Sequence, residues 1–125
     1  MDHTFSKGPV AFATQAPNPQ LSIIYDVDAV DVASKKDLVH LIDVREHDEF
    51  NGELGHIDGA KLIILSTIPD QLSTIPKDEP IVFICKAGGR SLQAAAFAAQ
   101  NGYKYVYNLK GGMLRWNQLA LPTTK

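Results

Sequence analysis

One stretch of the chain gathers residue types that do chemistry. Residues 81–91 read IVFICKAGGRS. An apolar run leads into Cys85, the only cysteine, and Lys86, Ala87, Gly88, Gly89 and Arg90 follow it into an alanine-rich segment. A lone cysteine by itself reads as a small buried hydrophobe. The order strand, cysteine, paired glycines, arginine, helix favours a reactive thiol instead. A strand ending at Cys85 puts the sulfur at the carboxyl edge of a sheet, where open α/β folds bind ligands. Glycine allows a curled backbone, so that N–H groups converge on one point. The first N–H groups of a helix have no internal partner, and the helix N-terminus favours negative charge. Such a cradle suits an anion, and the cradle together with Lys86 and Arg90 favours the thiolate. The segment therefore predicts a sulfur nucleophile at Cys85 with residues 86–90 as its anion-binding loop.

The surrounding elements are those needed to hold that loop. PIVFIC (80–85) reads as a strand buried on both faces. RSLQAAAFAAQNG reads as a helix with Leu92, Ala95, Ala96 and Ala99 on its packed face and Gly102 just past its end. LSIIY (21–25), LVHLIDV (38–44), residues 60–64 and YKYVYNL (103–109) read as further strands. Residues 26–37 space Val27, Val30 and Ala33 as a short helix. REHDEFNGE gives one or two helical turns that stop at Asn51-Gly52. STIPDQLSTIP is a short helical segment with Ser66 as N-cap and Pro76 as its stop. GGMLRWNQLALP is a turn and a last helix in which Trp116 belongs to the core. Strands alternating with helices imply parallel pairing and an α/β sandwich of one domain. Residues 1–21 hold three of the seven prolines and no clean periodicity, so they read as an extended arm packed through Phe5, Val10 and Phe12.

Composition narrows the function. With 125 residues, 45% of them hydrophobic, the chain builds one core. Twelve basic against fourteen acidic residues give a net charge of −2, which argues against a nucleic-acid or anionic-membrane surface. Tyr103, Tyr105 and Tyr107 alternate as strand residues sharing a face, but no basic stripe accompanies them as a nucleic-acid platform would require. No apolar run is long enough to span a membrane, and the first twenty residues lack the apolar core of a secretory signal. A single cysteine forms no internal disulfide, which fits a reducing compartment. The expectation is a soluble cytoplasmic protein.

The four blocks carrying these features resemble the rhodanese domain, the sulfurtransferase family. CKAGGRS resembles its Cys-x-x-x-x-Arg active loop. LIDVREHDEF, GHIDGAKLI and LKGGMLRW resemble its other segments, in the family's order. The resemblance covers residues 22–122, leaving the arm 1–21 and a tail 123–125. It implies a central parallel five-stranded sheet flanked by helices on both faces. It also implies a two-step reaction in which Cys85 takes the outer sulfur of a donor such as thiosulfate and holds it as a persulfide. A thiophilic acceptor (cyanide, a thiol or a protein) then removes it, with no metal and no organic cofactor. Residues 86–90 cradle the persulfide, and Lys86 and Arg90 attract the donor. Related phosphatases and arsenate reductases carry one more residue in the loop, which fits a tetrahedral oxyanion, so that reading is disfavoured. A non-catalytic binding or redox-sensing module is the other alternative, and retention of Cys85 weighs against it. Ala87 departs from the family by lacking a hydroxyl, and with no second cysteine the acceptor comes from another molecule.

Other polar residues admit structural roles. Asp43 and Arg45 follow a buried strand near the same sheet edge. An ion pair or capping network is favoured over direct support of the loop, for example Arg45 with Glu49 at i+4. His56 belongs to a turn in the resemblance and is not expected to act as the thiol's base. His3, His40 and His47 show no metal-ligand spacing. Gly111 and Gly112 shape a tight turn behind the active loop.

Overall fold

The structure is a computed structural model that describes residues 7–125. The expected packing of Phe5 and the reading of His3 lie outside the described residues. Among the described residues, eleven strands and α-helices follow one another: β1 (Ala16–Pro17), β2 (Tyr25–Val27), α1 (Ala29–Lys35), β3 (His40–Asp43), α2 (His47–Phe50), β4 (Lys61–Leu62), α3 (Ile68–Gln71), β5 (Ile81–Ile84), α4 (Gly89–Gln100), β6 (Val106–Leu109) and α5 (Gly112–Gln118). Single 3-10 turns adjoin α1 and both ends of α3.

The sheet order is β1-β2-β6-β5-β3-β4. The five strands β2 to β6 pair in parallel. The sheet has six strands rather than the five expected, because Ala16 and Pro17 of the arm pair antiparallel with Asp26 and Tyr25. Two residues, one of them proline, carry no strand periodicity of their own. Asn18 N–H donates to the Ile24 carbonyl and extends this contact. Val10 and Phe12 are buried, and the Phe12 ring meets Tyr107 edge-on at 5.0 Å.

The apolar run of β5 divides between two cores by the period of two that a strand imposes. Ile81, Phe83 and Cys85 face one cluster, with Ile42, Val106 and the alanines of α4. Val82 and Ile84 face the other, with Leu41, Leu109, Val32 of α1, and Met113 and Trp116 of α5. Helices therefore cover both faces, as the continuous hydrophobic strand requires. Each large side chain buried this way contributes on the order of 2 kcal/mol. Among the described residues no helix is long and apolar enough to cross a membrane.

Several boundaries differ from the sequence expectation. β2 begins at Tyr25 and takes Val27 from the expected helix. Ser66 is not an N-cap: it lies inside the 3-10 turn Leu65–Thr67, and Pro69 occupies the first turn of α3. The packed face of α4 is Ser91, Ala94, Ala95 and Ala98, one residue behind the face expected from apolar type alone. Ser91 makes the difference, because its hydroxyl is hydrogen-bonded in the interior and a polar residue was not counted as core. The three tyrosines do not share a face. Tyr103 precedes β6 and donates its hydroxyl to the Leu72 and Ile75 carbonyls in one core, while Tyr105 and Tyr107 pack in the other.

Candidate active site

Cys85 follows the last residue of β5, a strand paired on both sides by β3 and β6. It is 1% exposed. The loop then turns at Gly88, which has φ of 114° and serves as N-cap of α4. An L side chain is strained at that angle, so glycine is required there. Gly89 is different: it is the first helical residue, and a Cβ added there meets nothing within 4 Å. Of the paired glycines, then, Gly88 makes the curl and Gly89 leaves open space beside it.

The turn brings the Gly88 N–H to 3.0 Å from Cys85 Sγ. The N–H groups of Lys86, Ala87, Gly89 and Arg90 take no hydrogen-bond acceptor among the described residues. They stand free on the loop and the first turn of α4, whose N-terminus favours negative charge. Ser91 Oγ also lies 3.2 Å from Sγ.

The loop is held from below by the start of α5. Met113 N–H donates to the Cys85 carbonyl at 2.9 Å and Leu114 N–H to the Lys86 carbonyl at 3.0 Å. Gly112, with φ of 56°, makes that approach feasible, since a Cβ there would lie 2.5 Å from both carbonyl oxygens. The expected role of Gly111 and Gly112 behind the loop is seen in this contact.

The two arginines, Arg90 and Arg45, have partners that the sequence did not reveal. Arg90 forks onto Glu49 of α2, with Nη1 2.7 Å from Oε1 and Nη2 2.8 Å from Oε2. Its guanidinium is thus held by a carboxylate at the rim of the loop. Arg45 does not pair with the Glu49 carboxylate. It forks onto Asp43 instead and donates to the Glu49 and Gly55 carbonyls, with Arg45 1% and Asp43 0% exposed. This is a framework network between β3, α2 and the following turn. Lys86 is exposed and lines a cleft with Arg45, Asp48, Glu49 and Glu53. A second cleft is lined by Ala87, Gly88 and Gly89 of the loop together with Asp26, Asn108 and Lys110. His56 contacts Phe50: Nδ1 lies 2.7 Å from the Phe50 carbonyl, and its ring stacks on the Phe50 ring at 3.6 Å.

Glu49, Ser91, Asn108 and Asp26 were not singled out from sequence as site residues. Only Ser91 lies next to the loop; the contacts of the others cross between distant segments. Glu49 also closes a capping box with Glu46 at the start of α2, and an acidic residue three positions after a cap was the one local signal available. Its hydrogen bonds from Arg90 lower its carboxyl from the usual 4.5 to about 2, against burial, which raises it. A depressed folded value means that the pair stabilises the fold above the unfolded carboxyl range and stops doing so as pH falls toward about 2. Both side chains are about a third exposed (35% and 29%), so screening leaves a contribution of about 1 kcal/mol. Glu49→Gln is expected to remove that contribution at neutral pH and to flatten the acid limb of a stability-versus-pH curve from urea unfolding. A variant whose acid limb matches the wild type would show that the pair contributes nothing.

The comparisons with known proteins agree with this architecture. The model for the Rhodanese-like domain matches residues 26–119. A sulfurtransferase from Allochromatium vinosum is 40% identical over 84 residues, which are 67% of this chain and 77% of that protein. The thiosulfate sulfurtransferase GlpE of Pseudomonas aeruginosa is 33% identical over 79 residues, 63% of this chain and 70% of its own. Among solved structures, a rhodanese-like domain protein from Staphylococcus aureus aligns with a TM-score of 0.69 at 30% identity, over 80% of this chain and 98% of that one. The fold, the loop at the end of β5 and these matches together place the chain in the rhodanese-like domain family.

Proposed function

We propose that this domain is a sulfurtransferase that carries a sulfane sulfur on Cys85, with thiosulfate as a competent donor. The observation that supports it most is the placement of Cys85 Sγ, 3.0 Å from the Gly88 N–H, beside loop N–H groups that have no acceptor among the described residues. In the first step the Cys85 thiolate attacks the outer sulfur of thiosulfate. The new Sγ–S bond forms as the S–S bond of thiosulfate breaks, and sulfite leaves with the bonding pair. The product is a persulfide whose negative charge sits on its outer sulfur. Free N–H groups at a helix N-terminus stabilise such a charge. In the second step a thiolate or cyanide attacks the outer sulfur, giving a new persulfide or thiocyanate and restoring the Cys85 thiolate. Four residues separate Cys85 from Arg90, a loop sized for sulfur rather than for a tetrahedral oxyanion. Lys86, exposed at the loop, draws the anionic donor. With one cysteine in the chain, the acceptor is a separate molecule. The names of the relatives, sulfurtransferase and thiosulfate sulfurtransferase, support the same reading.

The test is the intact mass of the protein after brief incubation with thiosulfate, before and after cyanide. The expected result is a gain of one sulfur atom on Cys85 that cyanide removes. No gain from thiosulfate, with the thiol still alkylated, would overturn thiosulfate as donor.

A further inference from the structure

A chain of buried polar side chains runs from the reactive sulfur to the far edge of the sheet. Ser91 Oγ, 3.2 Å from Cys85 Sγ, donates to Asn108 Oδ1 of β6 at 2.5 Å. Asn108 Nδ2 donates to Asp26 Oδ1 of β2 at 3.0 Å. Asn18 Nδ2 donates to the same carboxylate at 3.0 and 3.2 Å, and Asn18 Oδ1 accepts from the Gln20 and Leu21 N–H groups. Ser91 is fully buried, and Asn108 and Asp26 are 2% and 8% exposed.

The direction of every bond follows from its last member. A carboxylate only accepts, so Asp26 fixes the Asn108 amide with Nδ2 toward itself and Oδ1 toward Ser91. That oxygen also only accepts, so it takes the single proton of the Ser91 hydroxyl. Cys85 is left facing the Ser91 lone pairs. A neutral thiol can donate to them, but a thiolate finds no donor there. Because the chain passes through an amide, it transmits orientation and not a proton.

We propose that Asp26 and Asn108 are positioning residues for the sulfur chemistry, locking the Ser91 hydroxyl as an acceptor toward Cys85 so that negative charge is supported only on the loop side of the sulfur. This deepens the sulfurtransferase reading and rests on it. A thiolate denied a second donor keeps more of its nucleophilicity. Once the persulfide forms, Sγ becomes the neutral inner sulfur and no longer opposes the Ser91 lone pairs, while the charge moves to the outer sulfur and the free N–H groups. The arrangement thus favours the loaded state over the empty thiolate.

Asp26→Asn tests the link with little change in shape. An amide at position 26 can donate, so Asn108 is free to turn over, and Ser91 is then free to give its proton to the thiolate. A hydrogen bond to a charged group shifts such an equilibrium by roughly tenfold or more. The rate of Cys85 alkylation by iodoacetamide, followed across pH in the full chain, is expected to rise roughly threefold on the acidic side, where the gain in thiolate outweighs its lower nucleophilicity, and to fall roughly threefold where the thiol is fully ionised. Turnover of thiosulfate is expected to fall. Asn108→Leu removes the amide altogether and is expected to act in the same direction, so it carries the test if Asp26→Asn does not fold. In a Ser91→Ala background the effect of Asp26→Asn is expected to vanish, which a merely structural role would not produce. The charged groups nearest the sulfur (Arg90 with Glu49, Arg45 with Asp43, and Lys86) and Lys110 of the second cleft are the same in all these proteins. Alkylation profiles that match the wild type in folded Asp26→Asn and Asn108→Leu would overturn the proposal. So would an Asp26→Asn effect that persists undiminished with Ser91→Ala. Alkylation needs no sulfur donor, so a failure of thiosulfate to load the protein is distinguishable from a failure of this link.

Discussion

Cys85→Ser is expected to lower sulfur transfer from thiosulfate by roughly a thousandfold or more, the scale on which loss of a catalytic nucleophile acts. A serine hydroxyl at neutral pH has neither the charge nor the polarisability of a thiolate, and it forms no stable adduct with a sulfane sulfur. The site itself survives the exchange. The side chains are close in size, and the new hydroxyl has the Gly88 N–H and Ser91 Oγ as ready partners where Sγ had them. A hydroxyl buried with partners changes stability by about 1 kcal/mol, so the urea midpoint is expected to stay near that of the wild type. A rate assay with thiosulfate and cyanide, read beside that midpoint, separates the two effects. Transfer at the wild-type rate in the folded variant would sink the assignment of the nucleophile.

The second large effect falls on stability and not on the chemistry. Arg45→Leu is expected to cost about 3–5 kcal/mol, because it leaves the Asp43 carboxylate buried without its counter-charge. Asp43 is 0% exposed and accepts from Arg45 Nε at 2.9 Å and Nη2 at 2.8 Å. The same substitution orphans the Gly55 carbonyl and takes one donor from the Glu49 carbonyl, which keeps the Gly52 N–H. That loss is a large share of the total stability of a domain this size. Changing both partners, as in Asp43→Leu with Arg45→Met, removes the unpaired charge and is expected to recover part of the loss. Urea unfolding of the single and double variants measures both. A single variant destabilised by less than about 1 kcal/mol would show that the buried pair is not what holds β3 to the following turns.

The contrast between these two sites explains what the sequence made legible. The active loop is local: an apolar strand, one cysteine, a glycine that must take positive φ, and a helix start follow one another in eleven residues, so their meaning is written in their order. The parallel strands could be read for the same reason, since a strand buried on both faces is a continuous apolar run. The partners of the loop are not local. Arg90 and Glu49 are 41 positions apart, and Asn108 and Asp26 are 82 apart. No spacing rule joins such residues; only the strand order brings them together. Counting apolar residues also misplaced the packed face of α4 by one position, because the residue that sets the rotation of that helix is a serine. β1 was invisible for a third reason. Two residues become a strand only when β2 is already there to pair with them.

That short strand has a consequence for how the molecule meets others. The two outermost strands of the sheet, β1 and β4, are each two residues long. One contains proline and the other an exposed lysine. Long, flat outer strands invite a second chain to add itself by backbone pairing, the common route to aggregation and to strand-swapped assemblies. Among the described residues, neither margin of this sheet is a long, flat strand. If the proposed sulfur transfer involves a protein donor or acceptor, that partner is expected to meet side chains around the loop rather than extend the sheet.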